Sequence, residues 1–398
     1  MPKSNEPKAK RPNKIKSKVY LDYAGSIAPN ASSIHEAGVN AKKMLNTART
    51  NVANVLFARP NEVFFTSGGT ESNNLAILGV VYGFMDSFAK NKKVPHIITT
   101  NIEHPSVLET FRMIAKRGLV EISIVPVEIN GIIDPKKIKK ELKENTLLVS
   151  VMYANNEIGT IQPIREIAKE IRHYKKLNKI QNLFFHTDAV QGANYLDLNV
   201  ASLGVDLLSL SGSKIENSGK IGMLYKKNSV VFSKIFGGGD QEGGLRPGTE
   251  NVAEIVKFAS ALEFAQKIKD KETKRLSVLR DYVFKELVKI SEKFPKREIL
   301  INGDLVNRLP NNINITISNI PSDLLVIELS ARGVYVSSKS ACKEGDGKMS
   351  YVIEAINPNI KDTDGSLRFS FGRDTSKVSL DYALKSLKEI LFKLDKWY

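Results

Sequence analysis

The sequence predicts an α/β fold: a large domain built on a mostly parallel sheet flanked by helices, then a smaller α+β C-terminal domain. Three observations predict it. Short, continuous apolar runs alternate with helical patterns through the first part of the chain, as strands buried on both faces do. After a long helical stretch from about Ile255 to Glu292 the pattern changes to strictly alternating strands. Polar and reactive residues sit just beyond the C-terminal ends of the apolar runs, the edge at which doubly wound sheets bind ligands.

Residues 1–18, "MPKSNEPKAKRPNKIKSK", hold seven basic residues and one acidic residue and lack apolar periodicity, so a disordered basic tail is expected. The large domain is expected over residues 19–262. In it "EVFFTSG" is a strand followed by a helix from about Thr70. "HIITTNIEH" precedes the helical "SVLETFRMIAKRG", and the strand "EISIVPV" follows. "LLVSVMYANNEIG" leads to the helical "IREIAKEIRHYKK". The strands "NLFFHTDAVQG", "VDLLSLSGSK" and "KIGMLY" come next. The small domain is expected over residues 263–398. There "NNINITIS" alternates as a half-exposed strand does, "DLLVIELSARG" is a helix with a Gly stop, and "VYVSS" and "GSLRFSFG" are strands. The amphipathic "SLDYALKSLKEILFKLDKWY" is a final helix.

Composition bounds the function. The chain has 398 residues, 42% hydrophobic and 26% charged, with a formal charge of +16. No run approaches the ~18 consecutive apolar residues of a membrane-spanning helix. No apolar run follows the basic N-terminus as in a secretory signal, so a cytoplasmic protein is expected. The single cysteine, Cys342, excludes an internal disulfide and an all-Cys zinc site. No basic stripe interleaved with aromatics argues for direct nucleic-acid binding.

The chemistry concentrates at the strand ends. "SGGTESNN" puts Gly68, Gly69 and Thr70 at a strand-to-helix junction. Glycines there let a ligand approach the backbone, and the helix start offers free N–H groups to one phosphate. The stretch is neither a Walker loop nor G-x-G-x-x-G, and an ordinary helix cap is the plainer reading. "SLSGSK" ends a strand with Lys214, which can form a Schiff base if partly desolvated, or be a solvated surface lysine. In "HTDAVQG", His186 and Asp188 share one side of a strand and can be weighed as metal ligands, but no third ligand is evident. Alternatively Asp188 faces a protonated pyridine nitrogen, as in pyridoxal phosphate sites. His104 can stack on such a ring or be a loop histidine. Arg368, on an alternating strand, can grip a carboxylate through two parallel hydrogen bonds or be solvated. Cys342 sits among Ser, Lys, Glu and Gly instead of in an apolar run.

Taken in order, "LDYAG", "SSIHEAG", "SGGTESNNLAI", "EHPSV", "NNEIGTIQPI", "HTDAVQG", "SGSKI", "GGLRPGTENV", "SSKSAC" and "SLRFSFGR" resemble the cysteine desulfurases, pyridoxal phosphate enzymes related to the class V aminotransferases. The resemblance runs from about Val19 to the C-terminus. It implies that Lys214 carries pyridoxal 5'-phosphate, that Asp188 pairs with the pyridine nitrogen and that Gln191 reaches the ring hydroxyl. His104 would stack on the ring and move protons. Gly69, Thr70 and Ser211 would cradle the phosphate, with Thr249 reaching it from a neighbouring subunit of a homodimer. Asn156 and Arg368 would hold L-cysteine, Arg368 by its carboxylate. Cys342 would attack the substrate sulfur, leaving a persulfide and releasing alanine. Lys339 and Lys343 beside it favour a thiolate. The implied acceptor is a protein of iron–sulfur cluster assembly or of tRNA thiolation.

The sequence departs from the family pattern at several points. Ser213 stands where a histidine usually precedes the lysine, although its hydroxyl can still bond a phosphate oxygen. Gly243 replaces a basic residue, Lys339 replaces a glycine, and "LDYAGSIAP" replaces "LDNAATTP". Two other readings stay open: another pyridoxal phosphate reaction, such as that of a selenocysteine lyase or an aminotransferase, which need not depend on Cys342, and a non-catalytic scaffold of the same fold, which the departures at Ser213, Gly243 and Lys339 support.

Overall fold

The structure, a computed structural model, describes residues 18–338, 350–361 and 363–395. The large-domain strands are β1 (Val63–Thr66), β2 (His96–Thr100), β3 (Glu121–Val125), β4 (Thr146–Ser150), β5 (Phe184–Asp188), β6 (Leu207–Ser211) and β7 (Gly222–Lys226). They form one sheet in the order β1-β7-β6-β5-β4-β2-β3. Neighbours from β6 to β3 pair in parallel, and β7 alone runs antiparallel, against both β1 and β6. The strands read as unbroken apolar runs because both faces are covered: Ile97, Ile98, Leu147, Leu148 and Val149 have no exposed surface.

The covering helices are α1 (Glu36–Leu56), α2 (Gly69–Lys90), α3 (Pro105–Lys116), α4 (Pro135–Glu141), α5 (Ile164–Leu177), α6 (Val200–Leu203) and α7 (Val252–Lys293). In α5 the buried residues Ile164, Ile167, Ala168 and Ile171 fall at i, i+3, i+4 and i+7, one apolar stripe with charged residues between. The small domain has β8 (Ile299–Ile301), β9 (Asn312–Ile317) and β10 (Gly365–Ser370) in the order β10-β9-β8, with α8 (Ser322–Ser330), α9 (Tyr351–Ile356) and α10 (Lys377–Asp395).

The long helical stretch is a single helix of 42 residues. The first half of α7 buries Ile255, Phe258, Ala259 and Leu262 in the large core. Its second half buries Leu276, Val283, Leu287 and Ile290 in the small one. The position 262/263 thus lies inside a helix. Helix α9 returns to the large core through Val352, Ile353 and Ile356.

Two expectations are corrected. Strand β9 alternates in sequence but is buried along its whole length. Ile313, Ile315 and Ile317 enter the small core. On the other face, the Asn312 and Asn314 amides donate to the Glu157 carbonyl at 3.1 and 3.2 Å. The polar face meets the large domain instead of water. "VYVSS" forms no strand. It touches the sheet through one bridge, Ser337 to Arg368, whose backbone hydrogen bonds are 3.3 and 2.7 Å.

A buried ion pair holds the segment that leads to Thr249. The Arg49 guanidinium of α1 donates twice to Glu242, each bond 2.7 Å, and Glu242 also accepts the Phe65 N–H at 2.8 Å. The chain turns here through left-handed backbone at Glu242 (φ 47°) and Gly243 (φ 64°), a conformation that favours glycine at position 243. Glu242→Ala strands the guanidinium and an amide, a loss of about 3–5 kcal/mol. A fall of that size in urea-unfolding stability, with slope unchanged, checks it.

Candidate active site

The strand-to-helix turn after β1 is built for close approach. A Cβ on Gly69 would lie 2.9 Å from Val190 Cγ2 and 3.3 Å from Ser211 Cβ, and one on Gly222 would lie 2.4 Å from the Gly68 carbonyl oxygen. Only glycines let the start of α2 pack this tightly on the ends of β5, β6 and β7. Ser211 Oγ, at the end of β6, lies 2.9 Å from Ser213 Oγ. The early N–H groups of α2 have no helical carbonyl before them, so with these hydroxyls they form an anion-binding set.

Asp188 closes β5 and is buried. Its Oδ1 accepts the Val190 N–H at 3.0 Å and its Oδ2 accepts the Asn73 amide at 2.7 Å. Among the described residues it has no ion-pair partner. Burial pushes its carboxyl above the ordinary range, with His104 pulling it down. A buried carboxylate without a cation is costly; one bordering a cavity suits a ligand that brings the cation. His104, at the N-cap of α3, is held below the usual imidazole range by burial, which outweighs the pull of Asp188.

From the small domain, Arg368 in β10 reaches across and donates to the Asn156 carbonyl at 3.0 Å. Asn156 is set in place by its neighbour. The Asn155 side chain accepts the Glu157 and Ile158 N–H groups at 2.8 and 3.0 Å and donates to the Ile102 carbonyl at 2.8 Å. Asn155 is therefore a turn-former.

Gly69, Thr70, His104, Asn156, Asp188, Gln191, Ser211, Ser213, Lys214 and Arg368 all line one cavity of about 720 Å³. Loops from separate strands thus converge as the strand-end pattern implies. Thr249 is exposed and lies outside this cavity. Cys342, Lys339 and Lys343 lie outside the described residues. His186 is not paired with Asp188 for a metal. Its Nδ1 bonds Ser150 Oγ at 2.8 Å, its Nε2 bonds Ser209 Oγ at 3.0 Å, and burial pushes its imidazole down to about 3.

Sequence reasoning missed several contributors. Asn73 lies one helical turn after Thr70, and Ser106 two residues after His104, a spacing that does mark a capped helix start. Asn194 donates to the Lys214 carbonyl at 2.6 Å. Glu103 is fully buried beside His104. Its Oε1 accepts the Thr100 hydroxyl at 2.6 Å and the Met152 N–H at 3.0 Å, and burial pushes its carboxyl up to about 8.

Comparison with known proteins identifies the family. Residues 7–382 match the family model described as Aminotransferase class-V. A curated relative from Dictyoglomus turgidum, "Cysteine desulfurase IscS", is 40% identical, with 96% of each chain covered. A solved "NifS-like protein" is 33% identical, covers 91% of each chain and superposes with a TM-score of 0.81. A structure titled "SspA in complex with cysteine" is 28% identical over 86% of this chain and 90% of its own, with a TM-score of 0.69. With a family match spanning nearly the whole sequence, and a convergent lysine, aspartate and arginine to go with it, the chain belongs to the class-V aminotransferase family, where it groups with the cysteine desulfurases.

Proposed function

We propose that the cavity binds pyridoxal 5'-phosphate and L-cysteine, and that the substrate's sulfur passes to Cys342 as a persulfide while alanine is released. The observation that carries this reading is the buried Asp188 carboxylate, without an ion-pair partner among the described residues, in one cavity with an amine (Lys214) and a guanidinium (Arg368). The residues fit the cofactor on chemical grounds: hydroxyls and a helix start for its phosphate, a carboxylate for its ring nitrogen, an amine for its aldehyde. When bound, the cofactor supplies an electron sink conjugated to the substrate's α-carbon.

The chain's own residues do the rest. Gly69, Thr70, Ser211 and Ser213 hold the phosphate group, and Gln191 faces the ring hydroxyl. Arg368 and Asn156 orient the substrate, with the guanidinium on its carboxylate. Lys214 and His104 move protons. The Cys342 thiolate attacks the substrate sulfur; the S–S bond forms as the carbon–sulfur bond breaks, and the carbon skeleton takes up a proton to become alanine. The cysteine-bound structural relative supports the choice of substrate.

The same reading has the chain working as a homodimer, with Thr249 completing a neighbour's phosphate site. The exposed apolar side chains of Leu21, Ile27 and Ile34 support such a surface. A cytoplasmic sulfur-acceptor protein of iron–sulfur cluster assembly or tRNA thiolation is the expected partner; among the described residues no helix is long and apolar enough to cross a membrane.

Incubation with L-cysteine under reducing conditions, with alanine and sulfide measured together, tests the reading. Equal yields are expected, and the absence of both would overturn it. Arg368→Ala is expected to raise KM for L-cysteine by about tenfold to a hundredfold, the scale of one charge-assisted hydrogen-bonded contact. An unchanged KM would place the carboxylate elsewhere.

A further inference from the structure

The directions of four hydrogen bonds determine where His104 carries its proton. His104 caps α3, and its Nδ1 receives the Ser106 backbone N–H at 3.1 Å. A backbone N–H only donates, so this longer contact favours a lone pair on Nδ1 without fixing it alone. The Ser106 hydroxyl lies 2.8 Å from the same nitrogen. That hydroxyl in turn lies 2.9 Å from the Asn73 amide nitrogen, whose other hydrogen goes to Asp188 Oδ2. An ionised Asp188 only accepts, so the nitrogen side of the Asn73 amide must face it. The Asn73 amide then donates to Ser106 Oγ, and the Ser106 hydroxyl hydrogen turns to Nδ1. With Nδ1 receiving from two donors, a neutral imidazole bears its hydrogen on Nε2.

The placement also opposes a second proton. His104 sits at the positive end of α3, where a cation is disfavoured, and it is largely removed from water. The molecule repeats the arrangement at α1. There His35 Nδ1 receives the Gly38 N–H at 3.2 Å, and Nε2 lies 3.1 Å from Asp22 Oδ2, which leaves Nε2 as the donor.

We propose that Asn73 and Ser106 are positioning residues that hold His104 as the neutral imidazole protonated on Nε2, with Asp188 anchoring the far end of the same chain of hydrogen bonds. This rests on the function proposed above in assigning His104 to proton movement and in setting an ionised Asp188 opposite the cofactor's ring nitrogen. One carboxylate then serves two ends: it faces the ring nitrogen, and through Asn73 and Ser106 it sets the polarity of the proton-moving group.

The test is long-range nitrogen–proton NMR on cofactor-loaded protein labelled with ¹⁵N-histidine. The chain has five histidines, and His104→Gln identifies the signals of interest. The unmutated protein is expected to show a lone-pair shift at Nδ1 and a protonated shift at Nε2. Ser106→Ala deletes one oxygen and keeps the capping N–H. It is expected to move both shifts toward a tautomer average and to lower kcat by about tenfold with KM changed less than about twofold, a fraction of what general acid–base catalysis contributes. Ser106→Thr is expected to restore both. A protonated Nδ1 in the unmutated protein, or Ser106→Ala with both shifts unmoved, would overturn the proposal. The shifts are read whether or not sulfide is released, so they judge the tautomer separately from the desulfurase reading.

Discussion

Cys342→Ala keeps the visible band of the bound cofactor and loses sulfide release from L-cysteine by on the order of a thousandfold or more. The substitution removes the only thiol in the chain. The groups that line the cavity remain, so the cofactor and substrate still bind and the spectrum still responds to L-cysteine. What disappears is the acceptor for the departing sulfur. A serine or a lysine nearby cannot replace it, since neither forms a stable bond to sulfur that dithiothreitol then reduces. The measurement is sulfide and alanine from the purified variant, with absorbance recorded before and after substrate. Sulfide release at the unmutated rate would remove Cys342 from the reaction.

Asp188→Asn is the second large effect. The side chain keeps its shape, and its carbonyl oxygen can still accept the Val190 N–H. On the proposed reading the negative charge that faces the cofactor's ring nitrogen is gone, and that nitrogen would no longer be held protonated. The loss in kcat is expected to be about a hundredfold or more, the scale of removing one preorganised electrostatic group. In cofactor-free protein the same substitution is expected to change stability little, because neutralising a buried carboxylate without a cation is opposed by losing the acceptor of the Asn73 amide. Thermal melts of both proteins, with and without cofactor, separate these effects. A melting temperature lowered equally in both states, with activity recovering on cooling, would assign Asp188 to folding alone.

Much of the site was legible because its residues follow from local rules. A buried strand ends, the chain must turn, and what stands at the turn faces the ligand edge. That logic put Gly69, Thr70, His104, Asp188 and Lys214 at one edge, where they line one cavity, while their roles came from the family resemblance. It does not reach Asn73 or Ser106, which look like ordinary polar residues in a first helical turn. Their importance arises from hydrogen bonds between α2, α3 and β5 that no local pattern encodes. Alternation misled at β9 for a related reason. A polar face signals only that something polar lies opposite, and here that is the Glu157 carbonyl instead of solvent. "VYVSS" has strand-forming residues but meets its neighbour at one point, so propensity had no ladder to act on. The packing changes partway along α7, whose apolar stripe passes from one core to the other, so the sequence pattern marks the change only after the helix ends.

That shared helix has a consequence for selectivity. At about 1.5 Å per residue its 42 residues make a rod roughly 60 Å long, packed into two hydrophobic interiors at once. Lys214 belongs to the sheet at one side and Arg368 to the sheet at the other. The span between amine and guanidinium is therefore gauged as by the fixed jaws of a calliper. In the proposed function that spacing is met by the amine and carboxylate common to every α-amino acid. A proline or a glycine pair midway along the rod, far from the cavity, is expected to loosen that spacing and weaken the hold on the end every amino acid shares, leaving side-chain choice to the rest of the cavity.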